Sequence, residues 1–476
     1  MRTPFDNAAE RCYALVVSRY ALPFLLLAGS FLGCAEEEPV PVALALTPGQ
    51  ETDAFRRSPA PERLVLHANS AEGASSQILD ARWPSGAFTL GALDTNQMAA
   101  FEAEGRDGAG ATVLRGATIF HVLWALDGTP LPVFMGRVGE TSRPPGVLPF
   151  THVGGLTTVV DARFIVSAGG TEALRPDGTA SDPATFSVYD LGQWKASSAT
   201  GTLSRNPRSM VTIQGRWALV IDDAGASWFD FATFESTDVT APEGMAFSEV
   251  AGGRVLYGEE GEAYLVGPAR EGTASSAVLR VDWEGTLTVV RTGSERSGVA
   301  ATWVAGRGLL LAGGHGTEPG LLLLAPGSST FSPLAYPADP VEGAAAAALP
   351  DERVVLAGGV VGDAPAPTRI LDLRCTAQCE TTDLGPTVGP LGVNHGWARA
   401  TRTDEVLVVG AAPTGASTTL TRIGGLLTTP FAEPVPLREP RSGAAPLALF
   451  GRAVAIVGGR KLEGTGVPSV EVYIPE

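Results

Sequence analysis

An apolar run closing on glycine recurs along the carboxyl-terminal two thirds of this chain, and its spacing constrains the fold more than any other feature. Four copies end on a double glycine: Phe164–Gly170, Leu309–Gly314, Val354–Gly359 and Ala453–Gly459. Weaker copies are Ala218–Asp223, Val255–Gly258 and Val406–Gly410. From Gly169 to Gly458 the chain takes six steps of about 48 residues. A second marker follows each copy, an alternating run that often ends in aspartate: Phe186–Asp190, Trp228–Asp230, Leu279–Asp282 and Ile370–Asp372. Its degenerate forms are Leu323–Ala325, Leu420–Arg422 and Glu471–Tyr473, and it steps by about 47 residues. Short runs of period two bounded by turns read as strands. Two markers of one period describe an array of like β units in which each unit covers its neighbour's apolar face.

A unit of this length, with glycines after its second strand, resembles the kelch repeat of β-propellers. The resemblance covers residues 146–476, and the unit that carries it best runs from Pro440–Gly443 through Ala455–Gly459 to Val470–Tyr473. It implies four strands per blade and a seven-bladed kelch-like β-propeller, with six or eight blades as alternatives. Three units, near Asp222, Gly258 and Gly410, lack the double glycine. The glycines are explained if the chain turns sharply where neighbouring blades crowd, because only glycine takes positive φ there without steric cost. The sequence closes at Glu476, just after the third strand of the last unit. An open sheet edge invites aggregation, so a fourth strand from upstream is expected, and Gly146-Val147-Leu148 is the predicted segment.

Upstream of the array the texture changes twice. Arg11 and Arg19 precede an apolar run over Ala21–Leu32, too short for a bilayer core that needs ~20 residues. A basic start, a short apolar stretch and a small residue describe a secretory signal. Phe31-Leu32-Gly33-Cys34 resembles the bacterial lipobox, which implies a signal over 1–34 and lipidation at Cys34. Phe31 stands where that pattern usually has leucine. Ala35 is not the aspartate that marks inner-membrane retention, so the implied address is the outer membrane or cell surface, with a periplasm-facing anchor as the alternative. Residues 35–60, rich in Pro, Glu and Ala without amphipathic period, read as a flexible tether. Residues 61–143 hold several short alternating strands and an Asp127-Gly128 turn, which suits an immunoglobulin-like β-sandwich.

The net charge is −17, which argues against a nucleic-acid partner, since such partners are held by neutralising phosphates. The 58 glycines and 36 prolines fall mostly at the repeating turns. Of four cysteines, Cys375 and Cys379 remain after the signal region, and in an exported chain they are expected to form a disulfide. A metal site there would need two more ligands, and no histidine lies close in sequence. Hence neither a metal nor a cofactor is expected.

One polar residue recurs in phase just before the first strand of each unit: His152, Arg208, Glu243, Arg296, Glu342, His395 and Arg441. In the kelch pattern this position faces one mouth of the central channel. Read functionally, the series is a ligand-binding rim whose arginines fork carboxylates or phosphates. Read structurally, Arg208, Glu243, Arg296 and Glu342 alternate in sign and pair with each other, as charges near a low-dielectric channel require. No catalytic set accompanies them. The copper radical oxidases that share this fold need two His, two Tyr and a linked Cys, whereas His67 and His121 here lie in the sandwich and both spare cysteines sit together. Sialidase-type Asp boxes, a Gly-x-Ser-x-Gly elbow, His-Glu-x-x-His and a phosphate loop are absent. The expected function is therefore a non-catalytic, membrane-anchored binding or scaffold module for protein or glycan. The alternative is a divergent exported enzyme acting on envelope carbohydrate or a related small substrate.

Overall fold

A computed structural model describes residues 42–71, 73–84, 88–90, 98–122, 129–175, 177–197, 200–268, 274–316, 320–384, 397–402, 404–409 and 417–476. Residues 1–34, expected to be a signal, with Cys34, and His395 lie outside them. Among the described residues the chain is all-β, with two single-turn 3-10 segments, Phe247–Glu249 and Phe450–Arg452, and no α-helix. It divides into two compact units, one of residues 1–137 with 192–194, the other of residues 138–191 and 195–476.

The first unit holds two sheets. One runs Ser75–Arg82, Arg63–Ser70, Met98–Arg106, Thr112–Ala117, Gly136–Arg137, with His121–Val122 also pairing to Met98–Arg106. The other is Phe88–Thr89, Ala43–Thr47 and Leu131–Phe134, the last two parallel. Alternating Leu64, Leu66, Phe101, Ala103 and Leu114 from the first sheet meet Leu44, Leu131 and Val133 from the second in one core. Ala43–Thr47 falls inside the stretch expected to be a tether. It folds because Val42 and Leu44 alternate into that core and are almost wholly buried. The loop that follows is also held: the buried Arg137 guanidinium donates to the carbonyls of Ala54, Arg57 and Pro59 at 3.0–3.2 Å. The tether over 35–60 is thus corrected, since its second half belongs to this unit.

The second unit is an array of antiparallel sheets in chain order. Sheet one comprises Leu156–Val160, Phe164–Ala168, Thr185–Asp190 and Lys195–Ala196. Sheets two to seven open with Ser209–Ile213, Gly253–Tyr257, Ala300–Val304, Ala345–Ala348, Trp397–Arg402 and Ala445–Ala448. The first strand of each sheet lies beside the first strand of the next, and that of sheet seven lies beside that of sheet one. The arrangement is propeller-like. Strands such as Trp217–Ile221 and Glu405–Val409 are buried on both faces or nearly so, which is why Ala218–Ile221 and Val406–Val409 read as continuous apolar runs.

The double glycines sit where two backbones converge. All four pairs have positive φ, between 65° and 94°. A Cβ on Gly169 would lie 2.6 Å from the Pro207 carbonyl, and one on Gly313 would lie 2.3 Å from that of Val341. Both carbonyls belong to the segment leading into the next sheet. A Cβ on Gly170, Gly314 or Gly459 would instead strike the segment leading into the same sheet, at Val153, Ser297 and Ser442 respectively. The first glycine therefore makes room for the next repeat and the second for its own.

Sheet seven takes three strands from the carboxyl terminus, Ala445–Ala448, Val454–Val457 and Glu471–Tyr473. Its fourth is Thr141–Ser142, paired antiparallel with Thr141 opposite Tyr473 and Ser142 opposite Val472. This corrects the segment expected to close the array. Gly146 turns with φ 78°, and Leu148 contributes a single backbone bond to the Pro468 carbonyl at 2.9 Å. The boundaries move with it: the array begins near Val138, not at 146, and the upstream unit ends at Arg137, not at 143. Both closing residues are buried. The Thr141 hydroxyl donates to the Pro436 carbonyl at 2.8 Å, while Arg438 binds the Thr141 carbonyl at 2.8 Å and Glu140 at 2.6 Å.

Replacing Thr141 and Ser142 together by proline removes the ladder donors of this strand. The melting temperature of the full chain should fall by ~5 °C or more. The same change at Val147 and Leu148 should lower it less. Equal effects in calorimetry would overturn the assignment of the closing strand.

Candidate functional site

Of the residues in phase before each first strand, six are described, and the structure turns three of them, His152, Arg296 and Arg441, inward. His152 lies on Thr151–Val153, a short strand paired with Glu172–Leu174, and is 3% exposed. Its Nδ1 is 3.3 Å from the Gly169 carbonyl and its Nε2 is 3.1 Å from Ser187 Oγ on the third strand. A carbonyl only accepts, so Nδ1 carries the proton and Nε2 can accept from the serine hydroxyl. Burial pulls the His152 pKa down from 6.5 to about 4, against the opposing pull of the Gly169 carbonyl.

Arg441 is 1% exposed and repeats the pattern with a charge. Its Nη1 donates to the carbonyls of Gly458 at 3.2 Å and Ser469 at 2.9 Å. Its Nη2 donates to Ser469 Oγ at 2.7 Å and to the fully buried Glu471 carboxylate at 2.8 Å. Ser469 passes the chain on to Glu439, which Lys461 caps at 2.8 Å. Gly169 and Gly458 are each the first glycine of a double-glycine turn. In both repeats the in-phase residue satisfies the carbonyl that this tight turn leaves without a ladder partner, and anchors to the third strand as well. Arg296, 4% exposed, donates to the Gly320 carbonyl just before the third strand of sheet four. In sheet five the corresponding buried ion pair is Arg369 with Asp339 at 2.9 Å.

The other members are placed differently. Arg208 pairs with Asp223 of its own repeat at 3.1 Å, Glu342 accepts from the Ser297 hydroxyl at 3.1 Å, and Glu243 is exposed. The binding rim expected of Arg296, Arg441 and His152 is therefore corrected: buried among backbone carbonyls, they brace turns and present no open face to a ligand. The expected alternation is also corrected for Arg208, which pairs with Asp223 of its own repeat and not with Glu243.

Two polar features of the ring lie outside the in-phase series. Arg254, second in its strand, is 5% exposed and donates to the Ala344 carbonyl at 3.4 Å. Sheets three and five are not adjacent, so this side chain crosses the interior of the ring, and burial pulls its pKa down to about 10. An arginine in the otherwise apolar run Arg254-Val255-Leu256 was the available clue. Near the opposite strand ends, the Tyr257 hydroxyl accepts from Thr212 N at 3.1 Å and lies 2.9 Å from Thr212 Oγ1. Thr212 in turn donates to the Val159 carbonyl at 3.3 Å, linking the first strands of sheets one, two and three. Cys375 and Cys379 are joined, as expected, with Cα atoms 5.8 Å apart in the connection between the third and fourth strands of sheet five.

No family model and no curated protein matches this chain. Among solved structures it is similar to the Pan2 WD40 domain of Neurospora crassa, at 11% identity and a TM-score of 0.41. That match spans 68% of this chain and 90% of the other. At this level the likeness carries no weight, and the propeller-like description rests on the ring of sheets itself.

Arg441→Ala leaves the Glu471 carboxylate buried without its cation and should destabilise the fold by ~3–5 kcal/mol, read as a shift in denaturant midpoint. A midpoint shift below ~1 kcal/mol would mean that the pair does not brace the turn. His152 adds a pH dependence. The folded state keeps it neutral down to about 4, while the unfolded chain takes up its proton near 6.5. Stability should therefore fall as pH drops through this window, by at most ~3 kcal/mol from this group. His152→Gln should flatten the slope of stability between pH 6.5 and 4, and an unchanged slope would refute the burial argument.

Proposed function

We propose that the chain is an exported, lipid-anchored binding protein without catalytic activity. In this reading an immunoglobulin-like sandwich is followed in the chain by a seven-bladed kelch-like propeller, which takes a protein or glycan as its ligand. The lipobox-like Phe31–Cys34 supports the anchor, at the outer membrane or cell surface. The double-glycine period and the ring of first strands support the propeller, and two packed sheets around one core support the sandwich.

One observation carries the binding role. The strand registers set the start of each first strand opposite the end of the second, as in Leu156 with Ala168 and Ala445 with Val457. Lead-in segments and second-to-third-strand connections therefore share an end of each sheet. There His152, Arg296 and Arg441 turn inward, so that in those repeats the connections supply the outer surface. In sheet one the connection is built into the pair Glu172–Leu174 and Ala180–Ser181, and in sheet five into Val360–Val361 and Ala364–Pro365. Val361 and Leu462, on the connections of sheets five and seven, are 44% and 75% exposed. Loops held on a rigid frame, with apolar tips outward, suit recognition of another surface.

Two measurements test the proposal. Mass analysis of the membrane-extracted protein should find acyl groups on Cys34, and Cys34→Ser should move the protein to the soluble fraction. Unchanged fractionation would refute the anchor. The chain from residue 35 should be retained by isolated envelope polysaccharide or by purified envelope proteins, and Val361→Asp with Leu462→Asp should reduce retention at least tenfold while the melting temperature holds. Undiminished retention would place the binding face elsewhere, and turnover of the polysaccharide would replace the binding role with a catalytic one.

A further inference from the structure

A small bridged loop ties the outer part of the joint between sheets four and five. Cys375 and Cys379 close a ring around Thr376, Ala377 and Gln378, all exposed, just after the third strand of sheet five. Cys379 is buried, and its N–H donates at 2.9 Å to the Ala335 carbonyl, in the connection that leads from sheet four to sheet five. Two further ties cross the same place. The Tyr336 hydroxyl donates to the Asp372 carbonyl and accepts from the Asp372 N–H, both at 2.8 Å. Arg307, from the first turn of sheet four, donates to the Leu373 carbonyl at 2.7 Å. Deeper in the joint, Leu371 and Leu373 meet Val304, Leu310, Val354 and Leu356 in an apolar core that does not involve the bridge.

Three features set this bridge apart from a structural staple. Its sulfurs differ in access, since Cys375 is partly exposed while Cys379 is 3% exposed, so an attacking thiolate meets Cys375. The stabilisation a bridge gives grows with the loop it closes, and the two cysteines here are only four residues apart, so the fold depends on it little. The ring also holds Gln378 at φ 48°, a region that is costly for any residue with a Cβ, and opening the ring lets it relax.

We propose that the Cys375–Cys379 bridge is a thiol-exchange site, opened at Cys375 by an external dithiol, and that opening loosens the outer joint of sheets four and five while the ring of sheets stays folded. One thiolate of the dithiol attacks Cys375 Sγ, the S–S bond breaks, and Cys379 leaves with the electron pair and takes up a proton. The second thiolate then displaces Cys375 from the mixed disulfide. The dithiol ends as a cyclic disulfide and both cysteines as thiols, two electrons and two protons having passed to the protein. Cys375 is then a free thiol on an exposed loop, open to mixed disulfides with small thiols, and Cys379 lies beneath it. Without the ring, the segment that carries the Ala335, Tyr336 and Arg307 ties has lost its covalent brace, and these ties open more often. Neither the lipid anchor nor the macromolecular ligand enters this inference, so it stands or falls apart from them.

The test uses the full chain and dithiothreitol, with peptide mass mapping to read Cys375 and Cys379 separately from Cys12 and Cys34. The bridge should be reduced in non-denaturing buffer with the melting transition retained. Hydrogen exchange over 334–336 and 372–379 should then rise about tenfold or more, while that of Trp217–Ile221 holds. Cys375→Ala together with Cys379→Ala should exchange like the reduced chain with no dithiol present, which separates loss of the bridge from any other action of the reagent. In the single variants, glutathione disulfide should add to the Cys375 left by Cys379→Ala about tenfold faster than to the Cys379 left by Cys375→Ala. A bridge that resists dithiothreitol until the chain melts, unchanged exchange at the joint after reduction, unfolding on loss of the bridge by either route, or equal adduct rates would overturn the proposal.

Discussion

Thr141 and Ser142 pair with Val472 and Tyr473, and through that pairing the two ends of a chain segment more than three hundred residues long become one sheet. A ring of sheets has no independent stability at its joint. The four main strands of each other sheet come from contiguous chain and find each other over short connections, with sheet three adding only His315–Gly316 from the repeat after it. Sheet seven alone draws a strand from the far end of the array, and the entropy of closing that loop must be recovered at one place. The recovery is concentrated: Arg438 clamps the Thr141 carbonyl and Glu140, and the Arg441–Glu471 pair stiffens the same sheet from within. The most fully buried ion pair in the molecule's described residues thus stands in the sheet where the ring is joined.

The double glycine and the polar residue in phase with it are two parts of one device. A positive-φ turn lets two lead-in segments approach within contact of the backbone, but it leaves a carbonyl inside the sheet edge with no ladder partner. His152 supplies a donor to Gly169, and Arg441 supplies one to Gly458. A neutral and a charged side chain serve the same carbonyl, which explains why the in-phase position varies in chemistry while keeping its polarity. It also explains why Arg441 needs Glu471 and His152 needs only Ser187.

The sequence shows the period clearly because glycine conformation is a local requirement that no neighbour can replace. It shows the polar series equally well, yet not its direction: a residue one step before a strand can point to a channel mouth or fold back on its own turn, and nothing in the spacing separates the two. The need for a closing strand is legible from the missing fourth strand of the last unit. Its location is not, because two residues of threonine and serine carry no alternation to read. Ala43–Thr47 was hidden for a related reason, since Ala-Leu-Ala-Leu-Thr among prolines and glutamates looks like linker until Leu131–Phe134 is beside it. The reach of Arg254 depends on which sheets adjoin, a property of the ring and not of any one repeat.

The repeat also locates where specificity has room to arise. Positions that the turn geometry dictates, the glycines and their donors, are committed to holding sheets together. Positions free of that duty are the second-to-third-strand connections and the outer strands, and these are where the repeats differ most, from a buried Thr185–Asp190 strand backed by two short partners to the eleven-residue Phe431–Arg441. Sheet five shows one such difference, a fourth strand shortened to two residues next to a disulfide-bonded connection. The inner strands carry the core, so length can vary at the outer strands. Variation confined to connections and outer strands needs no change in the ring, which is how a repetitive frame can host a site in one repeat while the others keep only their structural role.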